Sequence, residues 1–250
     1  MKGTESMTSI TRPSLWNLVG EVRWVGEWIA GALWNGHDAL PEGDGHGVLL
    51  LPGFLASDRS LAPLARVLRR LGYRTYRSGL NPNTGPTQAT VEWLRARVVD
   101  VMERVDGPIS IVGQSLGGIY AREIARAYPD GMRAVITLGS PFRAPDDTHA
   151  SKVAAAMSSW WDEEERERRR GLHKPLRVPT TSIFSKSDGI VPWKACLELP
   201  GPRRENIEVA TSHIGMSVHP EVIGIVADRL ALSPGRWRPY LASRGRSGSA

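Results

Sequence analysis

The chain has 250 residues, 41% of them apolar and 23% charged, which is the make-up of an ordinary globular protein with enough chain to bury a full core. A single cysteine, Cys196, excludes an intramolecular disulfide framework and a thiolate-cage zinc site. The net charge of +6 resides mostly in the last eighteen residues, where Arg236, Arg238, Arg244 and Arg246 meet no acid and leave +2 for the rest. With no basic helix and no interleaving of aromatic and basic residues, nucleic acid is not an expected partner.

Residues 1–13 are polar, with no apolar core of the secretory kind. The apolar stretch that follows, 15–34, is interrupted by Glu21, Arg23 and Glu27, so it does not read as a membrane span. The expected compartment is therefore cytoplasmic. At 100° per residue Leu15, Leu18, Val19, Val22, Val25, Ile29 and Leu33 form one apolar arc, with Trp16, Trp24, Trp28 and Trp34 outside it. The expected packing sets this arc on a sheet, with the tryptophans filling edges. The alternatives are a cap, a second subunit or a lipid interface. Membrane contact through this helix is compatible with the pattern and not required by it, and oligomeric state is left open.

Beyond residue 46 short apolar runs alternate with helical patterns, the signature of an α/β protein with a mostly parallel sheet. Strands are predicted at 47–51, 73–76, 109–112, 134–138, 181–184 and 207–210, and helices at 60–71, 87–105, 116–127 and 220–230. Unbroken apolarity in 48–51 and 109–112 indicates strands covered on both faces. One domain over 47–232 results, preceded by an extension at 1–46 and followed by a basic, flexible tail at 233–250. An insertion at about 143–176 breaks the rhythm. It holds Trp160 and Trp161, then acids leading arginines from Asp162 to Arg170 with i, i+4 pairs, as in an exposed helix. Its place after the fourth strand makes it a candidate cap.

The sharpest chemical signal is Gly113-Gln-Ser115-Leu-Gly117, with an apolar strand before it and a helical pattern directly after it. A serine on a strand-to-helix turn is forced out above the sheet edge, and glycines on either side let the turn close. Ser115 is therefore the candidate nucleophile. Its hydroxyl needs a base, and the base an orienting acid, from loops after later strands. Asp188, just past the fifth strand in a glycine-containing loop, is preferred to Asp146 and Asp147. His213, in the loop after the last strand, is preferred to His219, which stands before Pro220 at a helix start. The oxyanion donors are expected to be the amides of Leu116 and of Phe54, in the loop Leu51-Pro-Gly-Phe-Leu-Ala56. Phe54, Leu55, Gln114, Trp160, Trp161 and Trp193 are the candidate walls of the substrate pocket. The six histidines show no clustered ligand spacing, so neither metal nor cofactor is expected. Cys196 reads as a packing residue.

With Leu51-Pro-Gly-Phe54, Gly113-Gln-Ser-Leu-Gly-Gly118, Leu138-Gly-Ser-Pro-Phe142, Ser187-Asp-Gly-Ile-Val191 and Ser212-His-Ile-Gly215, the chain resembles the α/β-hydrolase superfamily. Within it, the resemblance is to bacterial lipase-like and esterase-like proteins and covers nearly all of 47–232. The order Ser115, Asp188, His213 is similar to the family's order of nucleophile, acid and base. Pro52 and Gln114 stand where many members carry histidine, and the family's first two antiparallel strands are not evident, so a reduced sheet of about six strands is expected. The resemblance implies a carboxylic ester hydrolase working through an acyl-enzyme on a small-molecule or lipid-like ester. The same triad also serves acyltransferases and thioesterases, and a noncatalytic binding protein on this scaffold is the remaining alternative.

Overall fold

The computed structural model describes residues 13–34, 36–143 and 171–240. Six strands, β1 (Gly47–Leu51), β2 (Arg74–Arg77), β3 (Ile109–Gln114), β4 (Met132–Leu138), β5 (Thr180–Phe184) and β6 (Arg204–Glu208), form one sheet in the order β2-β1-β3-β4-β5-β6. Every pairing is parallel. Because side chains alternate across a strand, each central strand feeds two cores. Val48, Leu50 and Val112 enter one core, and Leu49, Leu51, Ile109 and Ile111 enter the other.

Helices α1 (Leu15–Gly20) and α2 (Trp24–Leu33) lie against the loops after β5 and β6, while α3 (Ala62–Arg70), α4 (Gln88–Val105), α5 (Leu116–Ala127) and α6 (Pro220–Leu230) cover the two faces. Leu64 and Leu68 of α3 and Val222, Ile223 and Val226 of α6 fill the first core. Leu94, Val98 and Val101 of α4 and Tyr120, Ala121 and Ile124 of α5 fill the second. The chain winds outward from β1 to β2, then returns across β1 to β3. That reversal opens a crevice at the carboxyl ends of β1 and β3, the place where ligands bind in open α/β sheets.

Three departures from the sequence reading stand out. The last strand is Arg204–Glu208 rather than 207–210. It is an edge strand, half exposed and polar, so the apolar run beside it marks the loop that follows and not the ladder. The N-terminal arc also faces the other way. Val19, Val22, Val25 and Ile29 are exposed, Val22 by 70%, while Glu21 is buried. Trp16, Trp24 and Trp28 are exposed too, and only Trp34 of the four tryptophans packs against the core. Periodicity tells which residues share a face, not which face is covered. Residues 233–240, expected to belong to a flexible tail, lie against the body. The Tyr240 amide donates to Glu205 (2.7 Å), and Arg229 Nη1 donates to the Arg238 carbonyl (2.6 Å). Residues 144–170, with the expected charged helix, Asp146, Asp147, Trp160 and Trp161, lie outside the described residues, as does 241–250.

No helix among the described residues is long and apolar enough to cross a membrane.

Candidate active site

β3 ends at Gln114 and α5 begins at Leu116, so Ser115 alone makes the turn between them. Its backbone sits at φ 52°, ψ −119°, a region that non-glycine residues occupy at a cost of roughly 1–3 kcal/mol. Packing holds it there. The Ser115 amide donates to the Leu138 carbonyl (2.8 Å), and the Gly118 amide donates back to the Ser115 carbonyl (3.0 Å). A Cβ on Gly113 would strike the backbone of Gly117 and Gly118, and one on Gly117 would lie 2.8 Å from the Pro52 carbonyl oxygen. Glycine at both positions is therefore a steric requirement of this turn.

Asp188 and His213 come together just as steadily. His213 Nδ1 donates to Asp188 Oδ2 at 2.6 Å, with both side chains buried. The other Asp188 oxygen accepts the Ile190 and Val191 amides at 2.8 and 2.7 Å, which fixes the carboxylate's orientation. Burial pulls the His213 imidazole toward a lower pKa. The facing charge and hydrogen bond of Asp188, with the Glu21 carboxylate beyond, outweigh it and raise the pKa above the ordinary histidine value. The ring lies against Gly139, where an added Cβ would be 3.0 Å from His213 Nδ1. Gly139 follows Leu138, whose carbonyl anchors Ser115, so serine and imidazole share one corner at the ends of β3 and β4. The Ser115 hydroxyl makes no hydrogen bond among the described residues.

The loop after β1 closes over this corner. A Cβ on Gly53 would lie 3.2 Å from Ser115 Cβ and 3.9 Å from its Oγ. The amides of Phe54 and Leu116 donate to no acceptor among the described residues. Leu116 opens α5, whose N-terminal dipole favours negative charge at the same point. Leu55 is exposed and held at φ 58°.

Asn83, which the sequence reading passed over, supports that loop. Fully buried, it donates from Nδ2 to the Pro52 carbonyl (2.9 Å). Its main chain accepts from the Leu55 amide and donates to the Ala56 carbonyl, both at 2.8 Å. No local pattern marks such a residue, since all its partners but one are more than twenty positions away.

Two of the pocket candidates have defined contacts. Gln114 is buried, and its Nε2 donates to the His213 carbonyl (3.0 Å), tying the serine turn to the histidine loop. Trp193 stacks on Phe184 at 5.7 Å and lines a cavity of about 200 Å³ with Asn17, Lys186 and Asp188. The rival histidine, His219, precedes α6 with its Nδ1 buried and unpartnered among the described residues.

A second Asp–His–Ser chain occupies the opposite end of the sheet. Asp44 Oδ1 meets His46 Nδ1 at 2.6 Å, and His46 Nε2 meets Ser110 Oγ at 2.9 Å. Ser110 lies within β3, fully buried, with no turn and no helix N-terminus beside it. The hydrogen bonding is that of a relay, but its serine has no exposed surface and stands within a strand, beside a cavity of about 390 Å³ at that end of the sheet.

No protein-family model matches the chain, and no curated protein matches its sequence. Solved structures do resemble it. One is of LipS and LipT, metagenome-derived lipolytic enzymes, with a TM-score of 0.59 and 16% identity over 76% of this chain and 93% of that one. A monoacylglycerol lipase from Paleococcus ferrophilus gives 0.56 and 14% over 76% and 96%. Mouse alpha/beta hydrolase domain-containing protein 10 gives 0.52 and 21% over 75% and 88%.

The chain has the α/β-hydrolase fold.

Within that fold Ser115 stands at the strand-to-helix turn after β3, and Asp188 and His213 stand in the loops after β5 and β6. The α/β-hydrolase sheet here comprises six parallel strands among the described residues.

Proposed function

We propose that the chain is a serine hydrolase of carboxylic esters. The observation that carries this reading is the buried 2.6 Å hydrogen bond between Asp188 and His213, held at the corner where Ser115 takes its positive φ.

In the proposed cycle Ser115 Oγ attacks the ester carbonyl as His213 Nε2 takes its proton. Asp188 keeps the proton on Nδ1, so Nε2 remains the acceptor, and stabilises the imidazolium that forms. The tetrahedral oxyanion draws on the amides of Leu116 and Phe54, which have no other acceptor among the described residues. Preorganised donors of this kind typically contribute on the order of 10²–10³ in kcat each. The imidazolium gives its proton to the departing alkoxide, releasing the alcohol and leaving an acyl ester on Ser115. Water, deprotonated by the same imidazole, then attacks the acyl carbonyl and frees the acid.

The test is hydrolysis of p-nitrophenyl esters across acyl lengths, with Ser115→Ala beside the wild type. Turnover that the substitution abolishes supports the reading, and full turnover by Ser115→Ala overturns it.

A second reading, an esterase working at a lipid surface, is favoured by one observation: α1 and α2 turn Trp16, Val19, Val22, Val25, Trp28 and Ile29 outward together. It predicts a faster rate on emulsified than on monomeric substrate. Equal rates on the two would contradict it.

A further inference from the structure

The N-terminal helices reach the candidate site with their polar side. Glu21, only 6% exposed, opens the short 3-10 turn between α1 and α2. Its Oε1 accepts the amides of Gly189 (2.8 Å) and His213 (2.9 Å), and its Oε2 accepts that of Ile214 (3.3 Å). One carboxylate thus joins the residue after the candidate acid to the candidate base itself. Six residues on, Glu27 Oε1 accepts the Ser212 amide (3.0 Å), and the other Glu27 oxygen accepts the Ser212 hydroxyl. Arg23 pairs with Glu27 (3.5 Å) and donates to the Ser187 hydroxyl (2.8 Å). Asn17 Nδ2 donates to the Lys186 carbonyl (3.3 Å).

The fit is close as well as polar. A Cβ on Gly189 would run into the backbone of Asn17 and Leu18, one on Gly215 into the Glu27 carboxylate, and one on Gly31 into the Val218 carbonyl. The amides of His213 and Ile214 open a short 3-10 turn, Ile214–Ser217, that has no cap of its own. Glu21 supplies from another helix the acceptor that such orphan donors need.

We propose that Glu21 is a positioning residue, a buried carboxylate on an N-terminal strap that locks the acid and base loops to each other and sets the charge around the base. This rests on the serine-hydrolase reading above. The ionisable groups near His213 are Asp188 from the loop after β5 and Glu21 from the strap. Glu27 and Arg23 offset each other against the flanking loops, and Lys186 is paired with Glu208 (2.7 Å). Removing the Glu21 charge takes away one of the influences that raise the His213 pKa, so the pKa falls.

The experiment compares Glu21→Gln with wild type and with Glu103→Gln, a charge-matched change on the exposed side of α4. Rates are measured on a soluble p-nitrophenyl ester across pH, and the His213 imidazole is titrated by NMR. Glu21→Gln is expected to lower kcat on the order of 10-fold to 100-fold, as a small misplacement of a catalytic group does, with KM changed little. The acid limb and the NMR midpoint move together to lower pH, while Glu103→Gln matches wild type. As a second variant, Gly31→Ala lifts the strap at its far end without touching Glu21, and it is expected to lower kcat too. Wild-type kcat in Glu21→Gln, or a lower kcat with an unmoved His213 titration, overturns the proposal. The titration needs no substrate, so absence of ester turnover in the wild type would strike the hydrolase reading while leaving this one decided on its own.

Discussion

Replacing Asn83 with alanine leaves Ser115, His213 and Asp188 untouched and removes the side-chain tether on the loop after β1, while the two main-chain bonds to Leu55 and Ala56 remain. The side chain is fully buried and makes three contacts: Nδ2 to the Pro52 carbonyl at 2.9 Å, and Oδ1 from the Gly85 amide at 3.3 Å and the Tyr120 hydroxyl at 3.4 Å. Only the first has the length of a strong bond. Leaving a buried group unpaired costs about 1–3 kcal/mol, so one full loss and two weak ones come to about 2–4 kcal/mol. For a chain of this size that is a fall in Tm of about 5–15 °C. Catalysis suffers separately. Pro52 is two residues before the Phe54 amide, and once its carbonyl loses its tether the loop relaxes away from Ser115. Losing one oxyanion donor costs on the order of 10²-fold in kcat, with little change in KM because the donor acts mainly on the transition state. Stopped assays on a soluble ester well below the mutant's Tm separate the two effects. A kcat within twofold of wild type, measured while the protein is folded, would refute the argument that Asn83 sets the oxyanion loop.

Two further predictions follow from the same geometry. In the proposed cycle the neutral imidazole is the working base, and its pKa is raised by Asp188 and Glu21, so activity should fall as pH drops through a value above that of an ordinary histidine. Asp188→Asn should lower that limb along with kcat, and a limb at or below the ordinary histidine value in the wild type would contradict the charge assignment. Glu198→Ala should be among the most destabilising single changes. Arg122, fully buried on α5, pairs with Glu198 and donates to the carbonyls of Leu172 and Lys174, both at 3.0 Å. Stripping the partner from a buried charge costs about 3–5 kcal/mol, which denaturant titration would read directly.

The parts of the site that were legible in the sequence are those whose cause is local. A strand, a serine between glycines and a helix are contiguous, and the turn they force is the one observed at Ser115. Asp188 and His213 could be placed because loops after successive parallel strands open on one edge of a sheet. Glu21 and Asn83 could not. Glu21 acts on residues 168 to 193 positions away, and in a list of residues it looks like an interruption of an apolar helix. Its burial also explains why the outward side of that helix was misjudged: three backbone amides attract a carboxylate more specifically than a sheet attracts an apolar arc. The sixth strand was misplaced for a related reason. Arg204, Glu205 and Asn206 earn their places through partners, Asn206 by two hydrogen bonds to the Glu198 backbone, and no apolar pattern records that.

The most direct measurement of the central claim is labelling by a fluorophosphonate, followed by mass spectrometry to find the modified residue. One adduct is expected, on Ser115, formed rapidly in the wild type and slowed on the order of 10²-fold or more in His213→Ala, where the serine has lost its proposed base. Ser110, with its own histidine but buried within β3, should stay unmodified. No adduct on Ser115 in the folded protein, or labelling of equal rate in His213→Ala, would contradict the assignment of these residues as nucleophile and base.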